Sequence, residues 1–491
     1  MSIRNDVVNV ALDAGANPYL MGGYAPVDEE IDAADLEVIG EVPADLNGLY
    51  VRNGPNPRFR TEGRYHWFDG DAMLHAIHLR DGQATYRNRW VRTDGFAAES
   101  AAGTALWRGM AEPRTGNPDD GSRLQLKDTA NTDVVFHNGS LVALWYLAGE
   151  PYRIDPISLA TLGKEDWQGT RQSCVSSHAK VDRQTGELLF FDYGPTPPYM
   201  SYGVVSPDGV LKHFTPIDLP GARMPHDMAI TERHTVLMDL PLVVDPEAAN
   251  GGRHSLVFRR DWPSRFAVVP RYGSQTDVRW FEADPCYIYH TVNAWEEDGV
   301  IVMTVCRFRP PQPPKTPITG PLASILNYLR LDAHLYRYRF DLRTGATTEQ
   351  PLDDRNTEFP VVSAEHVGRR NRYAYNVSVN NDFTMYFDGV VKYDLATGAS
   401  DRCEFGPGRF GSEAPFAARD GASPRGDAED DGYLVSFVYD ASVDRSELVI
   451  LDARDVAAGP VGRVLLPKRV PNGFHACWVP EEQLAAHRSS A

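Results

Sequence analysis

Short hairpin units recur along this chain, and they constrain its fold more than any other feature of the sequence. The stretches KVDRQTGELLFF, YRFDLRTGATTE and VKYDLATGASDR each place an Asp and a Gly between apolar or β-branched runs. Asp81-Gly82 and Asp208-Gly209 repeat the same device. Aspartate hydrogen-bonds the turn backbone, and glycine supplies the positive φ that tight hairpins need. The pattern predicts an all-β chain built from antiparallel hairpins.

The distribution of these hairpins indicates one closed β-array. They run from near residue 80 to near residue 450, and helical periodicity is scarce. One helix is predicted over 320–333, after the Pro-rich segment RPPQPPKTPIT. A β-propeller protects its strand edges by radial repetition, and a sandwich joined to a barrel is the alternative. We expect a single domain over 1–491, with residues 1–35 as an N-terminal extension packed on it. The polar stretch 418–432 is predicted to be a surface loop.

The composition excludes several classes of protein. A net charge of −18 argues against nucleic-acid binding, which requires a basic face. Five widely spaced cysteines without a C-x-x-C pair argue against a disulfide framework and favour a reducing cytoplasm. Neither a secretory signal nor a membrane-spanning stretch is recognised. The segment GPGRFG (406–411) lacks the following helix of a dinucleotide site, and no G-x-S-x-G elbow indicates a hydrolase.

Four of the fourteen histidines stand beside turns among apolar or aromatic residues. They are His178 in CVSSHAKVD, His226 in ARMPHDMAI, His290 in YIYHTVNAW and His475 in PNGFHACW. Their spacing is too wide for a local metal motif, but inner ends of separate propeller blades can converge on one axis. Imidazole ligands there suit iron, zinc, copper or nickel. Spacing alone does not single out this quartet, and a satisfied core role is the simpler alternative for each ring.

A series of motifs in fixed order carries a more specific signal. The series is LNGLYVRNGPNPRF (46–59), YHWFDGDAMLHAI (65–77), SSHAKVD, MPHDMAITERHTVLMDLPL, EADPCYIYHTVNAWEEDG, TEFPVV, SEAPF and NGFHACW. Through it the chain resembles the carotenoid cleavage oxygenases, which include apocarotenoid oxygenases, stilbene-cleaving dioxygenases and the retinoid isomerase of the eye. The resemblance covers nearly the whole chain. It implies a seven-bladed β-propeller, capped by a dome of loops and short helices over an axial metal.

The resemblance also implies the residues of the site. One non-haem Fe(II) per chain is expected on four ligands, which are His178, His226, His290 and His475. Glu358 and Glu413 match positions whose carboxylates hydrogen-bond the outer nitrogens of ligands and so fix ring orientation. Thr132 in ANTDVV matches a position close to the iron, where it could limit how dioxygen binds. A strand threonine bonded to backbone is the alternative for that residue.

The chain departs from the family pattern at one position. The family usually has a third glutamate shortly after a segment like LVAL, whereas this chain reads LVALWYLAGEPYRID. Trp145, Tyr146 and Leu147 stand where the glutamate is expected. Either Glu150 substitutes through a changed loop, or another group orients one ligand. The sequence leaves both possibilities open.

The activity implied is oxidative cleavage of an alkene C=C bond by O₂, giving two carbonyl products. A carotenoid or apocarotenoid is the expected substrate, and a stilbene or vinylphenol is the alternative. Stilbene-cleaving members use a Lys just before the third glutamate, and this chain has none between Lys127 and Lys164. A propeller scaffold that binds a partner without chemistry is the alternative from another class. The cleaved bond and the oligomeric state stay open.

Contact with membranes is a weaker expectation. Very apolar substrates partition into lipid, and PLASILNYL (321–329) is either an apolar patch at a tunnel mouth or an ordinary buried helix. The net charge of −18 opposes binding to anionic lipid. At most weak peripheral association is therefore expected.

Overall fold

Seven blades form the body of the molecule. The computed structural model describes residues 17–490 except 62, 115, 119–122, 245–255, 309–321, 323–325, 327–328, 382–383 and 423–427. Within these ranges the chain forms thirty-three β-strands and two α-helices. Seven sheets of four to six strands are the blades, and an eighth, two-stranded sheet is a hairpin inserted in one of them. The predicted all-β, seven-bladed propeller is confirmed.

Most strands come from hairpins whose alternating apolar residues pack between neighbouring blades. The strands before residue 240 are β1 Asp32–Ala33, β2 Val38–Gly40, β3 Gly48–Pro55, β4 Ala72–Arg80, β5 Gln83–Trp90, β6 Asp133–His137, β7 Ser140–Leu144, β8 Tyr152–Ile154, β9 Thr161–Lys164, β10 Lys180–Val181, β11 Leu188–Tyr193, β12 Tyr199–Val205, β13 Leu211–Asp218, β14 Ala229–Ile230 and β15 His234–Asp239. Among these, β6–β9 and β10–β13 are complete blades in sequence order.

The second half of the chain repeats the arrangement. Its strands are β16 Leu242–Val244, β17 Leu256–Phe258, β18 Ser264–Pro270, β19 Arg279–Ala283, β20 Tyr287–Glu297, β21 Val300–Phe308, β22 Ala333–Asp341, β23 Thr347–Pro351, β24 Thr357–Val361, β25 Tyr373–Asn380, β26 Tyr386–Asp394, β27 Ser400–Glu404, β28 Arg409–Phe410, β29 Phe416–Ala418, β30 Gly432–Asp440, β31 Arg445–Asp452, β32 Pro460–Leu465 and β33 Ala476–Pro480. The helices are α1 Asp94–Ala102 and α2 Glu481–Ser490.

Strands from both ends of the chain close the ring. The last strand, β33, is the innermost strand of the blade β33-β3-β4-β5-β1, whereas β2 is the outermost strand of the neighbouring blade, beside β32. Tyr50 pairs with Trp478, and Ile39 pairs with Arg463. Of the predicted N-terminal extension, residues 1–16 lie outside the described residues. Tyr19 and Tyr24 are buried against the body.

The direction of each strand determines on which of the two faces of the propeller the following connection lies. Neighbouring strands are antiparallel, so turns after the first and third strands of a blade share one face, and connections after the second and fourth share the other. The predicted Asp–Gly hairpins lie on the first face, where Gly186 and Gly345 have φ of 72° and 79°. The described parts of the long connections 56–71, 91–132, 240–263 and 309–332 lie on the other face. They carry α1 and the β16–β17 hairpin, and they form the dome.

Half of the predicted helix over 320–333 lies outside the described residues. Leu326 and Leu329 are described, and both are buried against neighbouring blades rather than exposed in an apolar patch. Ala333, the last residue of the prediction, already belongs to β22. The predicted loop over 418–432 joins β29 to β30, and its residues 423–427 are not described. Over the described residues, no helix has both the length and the apolar character needed to cross a membrane.

Candidate metal centre

Four histidines meet at the dome end of the propeller axis. His178 lies two residues before the inner strand β10, His226 three residues before β14 and His475 one residue before β33, and His290 lies in the inner strand β20. Ring centroids lie 4.4 Å apart for His178 and His475, 4.6 Å for His290 and His475, and 4.8 Å for His178 and His226. Ligand nitrogens of His178, His290 and His475 all lie within 4.8 Å of one another. Four blades therefore deliver one buried imidazole each.

Two ring nitrogens of this cluster have no hydrogen-bond partner among the described residues and are available to bind a metal. Within the described part of the chain, no hydrogen-bond partner reaches His178 Nε2 or His290 Nε2, although both atoms are buried. An unpartnered buried polar atom costs free energy, so such atoms call for a ligand. Burial lowers the pKa of His226 and His290 well below the ordinary value, which keeps these rings in the neutral, metal-binding form. A set of imidazole nitrogens suits a divalent iron, cobalt or zinc ion.

Two glutamates support this cluster from behind. Glu358 accepts a hydrogen bond from His290 Nδ1, and Glu413 Oε1 lies 3.1 Å from His475 Nδ1. Burial raises the pKa of Glu358 well above its ordinary value, and a cation on the His290 ring would favour its carboxylate form. Burial acts to lower the pKa of His475, but Glu413 outweighs it and raises that pKa. Both glutamates thus stand where the resemblance placed them, each behind a different ring.

A third carboxylate, Asp133, was not identified from the sequence. Its Oδ2 lies 3.2 Å from His178 Nδ1 and also accepts the backbone N–H of His178 at 3.2 Å. His178 has φ of 66°, a left-handed conformation uncommon outside glycine, and these two contacts hold it there. Burial alone would raise the pKa of Asp133, but His178 and His475 hold it well below its ordinary value. The only available signal was an Asp adjoining Thr132 at the start of an inner strand.

Glu150 does not replace the missing glutamate. Its carboxylate accepts a hydrogen bond from Arg171 Nη2 at 2.5 Å and lies 3.9 Å from Lys164 Nζ. The described residues place no carboxylate on His226. That ring meets Tyr289 edge-to-face at 4.9 Å, and the Tyr146 ring lies 6.4 Å away.

Thr132 is bonded into its strand environment beside the cluster. Its hydroxyl donates to Asn131 Oδ1 at 3.2 Å and accepts from the Tyr146 N–H at 3.1 Å. Its carbonyl accepts the backbone N–H of His475 at 3.2 Å. These bonds match the backbone-bonded alternative for Thr132 and tie the segments of Tyr146 and His475 together.

Aromatic rings surround the histidines. Phe359 stacks on His475 at 4.5 Å, and Tyr289 packs on His226. The rings that continue outward from these contacts are Phe68, Tyr146, Phe308, Phe387 and Phe474. The surroundings of the cluster are therefore largely apolar.

The opposite end of the axis has a different character. A cavity of about 570 Å³ opens there, and its lining includes Ala179, Lys180 and Cys477, one or two residues after His178 and His475. Its lining includes Arg183 and Glu365, and Lys180 Nζ forms an ion pair with Asp227 Oδ1 at 2.7 Å. A long apolar molecule would have to desolvate these charges to enter from this side.

Comparison with known proteins decides the family. The family model described as "Retinal pigment epithelial membrane protein" matches residues 24–480. The chain belongs to the carotenoid cleavage oxygenase family. It is 37% identical to carotenoid 9,10(9',10')-cleavage dioxygenase of Crocus sativus, over 95% of this chain and 90% of that protein.

Solved structures of this carotenoid cleavage oxygenase family agree with that assignment. Pseudomonas brassicacearum lignostilbene dioxygenase superposes with a TM-score of 0.83 and 32% identity, over 94% of this chain and 98% of its own. Cobalt-substituted apocarotenoid oxygenase of Synechocystis superposes with a TM-score of 0.81 and 28% identity, over 93% and 98%. The relatives are dioxygenases, and so this chain is an enzyme of that type. The alternative of a non-catalytic scaffold is therefore dropped.

Proposed function

We propose that this enzyme is a non-haem Fe(II) dioxygenase that cleaves one C=C bond of a carotenoid or apocarotenoid. One O₂ is consumed, and each alkene carbon receives one oxygen atom, so the products are two carbonyl compounds. The observation that carries the proposal is the convergence of four buried histidines on the axis of a carotenoid cleavage oxygenase fold, with the Nε2 atoms of His178 and His290 open.

The histidine cluster would hold the iron. The ligands would be His178, His226, His290 and His475, all neutral donors, which leave the ion its charge and room for further ligands. When bound, Fe(II) supplies the capacity to bind and activate O₂. The residues of this chain keep the rings oriented through Asp133, Glu358 and Glu413. No general acid, base or nucleophile is required for this cleavage.

The surroundings of the cluster support an apolar substrate. Phe359, Tyr289, Phe68 and Phe474 present rings around the histidines, and such rings contact a polyene without desolvating charge. The charged cavity at the opposite end offers no comparable surface. We therefore place substrate entry on the dome side.

A phenolic stilbene is the second candidate, because lignostilbene dioxygenase is among the structures that superpose well. A buried ammonium near the substrate would stabilise a phenolate, yet no lysine occurs between Lys127 and Lys164. Lys127 itself is buried between Asp71 and Glu99, with its Nζ 2.5 Å from Glu99 Oε2. Its charge is therefore already neutralised by these carboxylates and is not available to stabilise a phenolate. This favours a polyene substrate over a phenolic stilbene.

A side-by-side assay tests the proposal. The protein, supplied with Fe(II) in air, is given an apo-8′-type apocarotenal, a 4-hydroxystilbene and a 4-vinylphenol in separate reactions. We expect two carbonyl products from the apocarotenal and little turnover of either phenol. Fast cleavage of a phenol without any apocarotenoid product would reverse the choice of substrate. No cleavage of any of the three would contradict the proposed alkene substrates.

We further propose a cytoplasmic location with at most weak peripheral membrane contact. Support for the location comes from the five cysteines, all of which carry free thiols. Support for weak contact comes from the apolar substrate class, set against a net charge of −18. Cosedimentation with neutral liposomes measures the contact, and complete recovery with the liposomes would contradict weak binding.

A further inference from the structure

The four histidines of the candidate metal centre are not supported equally. Three of them have a carboxylate behind the ring: Asp133 behind His178, Glu358 behind His290 and Glu413 behind His475. Among the described residues, none stands behind His226. Its ring contacts are aromatic, with Tyr289 at 4.9 Å and Tyr146 at 6.4 Å.

This inequality has a direct consequence for a bound metal. A carboxylate that accepts the outer N–H of a ligating imidazole fixes its tautomer and orientation and raises its basicity. Loss of such a partner typically costs about 10- to 100-fold in metal affinity or activity. An edge-to-face aromatic contact restrains the ring but does not raise its basicity. His226 is thus built as a weaker donor than the other three.

The position of Tyr146 explains how a carboxylate is excluded. Its backbone N–H donates to Thr132 Oγ1 at 3.1 Å, and its carbonyl accepts from Tyr193 Oη at 2.7 Å. These bonds fix residue 146 beside His226. Its ring is buried against Phe68 at 4.7 Å, and its hydroxyl lies 3.6 Å from Met110 Sδ. The Tyr146 ring thus lies 6.4 Å from the His226 ring, on a residue that carries no carboxylate.

We propose that the centre is a three-plus-one site, in which His178, His290 and His475 anchor the metal and His226 is a weakly held fourth ligand. Tyr146 is the positioning residue that makes His226 the weaker ligand, because it stands beside this ring and offers no carboxylate. The proposal rests on the metal assignment of the proposed function, but it concerns the ranking of the ligands rather than the reaction.

Cobalt(II) titration of the metal-free protein tests the ranking without relying on activity. Co(II) is an appropriate probe, because a solved relative is a cobalt-substituted form. Affinity is read from the visible spectrum in competition with a chelator, for wild type, His226→Ala and His290→Ala. We expect His226→Ala to keep one Co(II) per chain with reduced affinity, and His290→Ala to weaken binding at least about tenfold further. Equal losses in the two variants would overturn the ranking.

Substitution at residue 146 tests the positioning role. Tyr146→Glu is expected to raise Co(II) affinity about 10- to 100-fold and to change the ligand-field spectrum. Tyr146→Phe, the matched control, should leave both unchanged. The gain should vanish when Tyr146→Glu is combined with His226→Ala, because it acts through that ring. A gain that persists in the double variant, or no gain in a folded Tyr146→Glu protein, would overturn the role of Tyr146.

Two further outcomes keep the inference separable from the proposed function. If Tyr146→Glu does not fold, the comparison of His226→Ala with His290→Ala decides the ranking by itself, and Tyr146→Gln supplies a neutral acceptor at the same place. A gain with Gln smaller than that expected for Glu supports the positioning role, and no gain contradicts it. A wild-type chain that takes up no Co(II) would overturn the metal assignment and this inference together.

Discussion

Strand β10 is flanked by two buried polar residues, His178 and Asp182. They differ in how completely their polar atoms are hydrogen-bonded. At the dome end, His178 leaves Nε2 without a hydrogen-bond partner in the described part of the chain. At the turn end, Asp182 Oδ2 lies 2.8 Å from Arg271 Nη2, and its Oδ1 lies 2.8 Å from Arg369 Nη1. The fold can satisfy a buried polar group completely, and it does so at Asp182. The open Nε2 atoms of His178 and His290 belong to one histidine cluster, and this shared position indicates a site for a ligand.

We therefore expect substitutions at the dome end to remove metal and activity, and substitutions at the turn end to lower stability. The largest effect is expected for the histidines. His290→Ala should lose bound metal and cleavage activity together, because it removes one of the carboxylate-supported ligands. Its far-UV circular dichroism should stay that of the wild type. His213→Ala is the matched control, since His213 bonds the Gly273 carbonyl at 2.8 Å far from the cluster. Full activity in His290→Ala would remove that residue from the ligand set.

At the turn end the expected loss is one of stability. Asp182→Ala leaves Arg271 and Arg369 without their shared carboxylate, and breaking a buried pair in this way costs about 3–5 kcal/mol of unfolding free energy. Metal bound per folded molecule should not change. Glu29→Gln, in the exposed pair with Lys468, should cost no more than about 1 kcal/mol. Equal unfolding midpoints for the two variants in urea would contradict this contrast.

Substitution of the carboxylates behind the rings should have a smaller effect on metal binding than loss of a histidine ligand. Glu358→Gln and Glu413→Gln keep the side-chain size but lose the charge, so each should lower metal affinity or activity about 10- to 100-fold. Asp133→Asn should behave in the same way. Metal competition titrations and steady-state cleavage rates measure the effect. Wild-type behaviour of all three would show that the rings need no carboxylate support.

The smallest effect is a pH dependence of stability at the turn end. Burial alone would raise the pKa of Asp182, but Arg369 and Arg271 lower it below the ordinary value. A depressed pKa in the folded state stabilises the protein above the unfolded-state pKa of about 3.9, and the gain is lost as pH falls through the folded-state pKa. The difference in unfolding free energy between wild type and Asp182→Asn should therefore shrink below about pH 4. A difference that grows on acidification would contradict this sign.

The hairpins could be predicted from the sequence more directly than the way they assemble into blades around one axis. Asp81-Gly82 and the turn around Gly186 could be predicted locally, because turn geometry depends on the residues of the turn itself. Seven blades and the meeting of His178 with His475 followed only from the family resemblance, because the contacts that join them span most of the chain. The convergence of distant inner strands leaves no periodic signal.

The same reasoning explains why the sequence does not identify Asp133 and does not decide between the two possibilities for Glu150. Asp133 was missed because its role depends on the left-handed backbone of His178, which no residue pattern marks. The sequence does not determine the role of Glu150, because its distance from His226 depends on how the loop after β7 turns, and in the structure Glu150 binds Arg171 instead. The role of Tyr146 depends on His226, which has no carboxylate behind its ring among the described residues.

We propose above that the open histidine cluster at the dome end is an iron site. Protein reconstituted anaerobically with Fe(II), freed of excess metal and analysed by elemental mass spectrometry measures this most directly, alongside His290→Ala prepared identically. We expect one iron per wild-type chain and none retained by the variant. Wild-type protein that retains no iron, or a His290→Ala protein that retains as much as wild type, would contradict it.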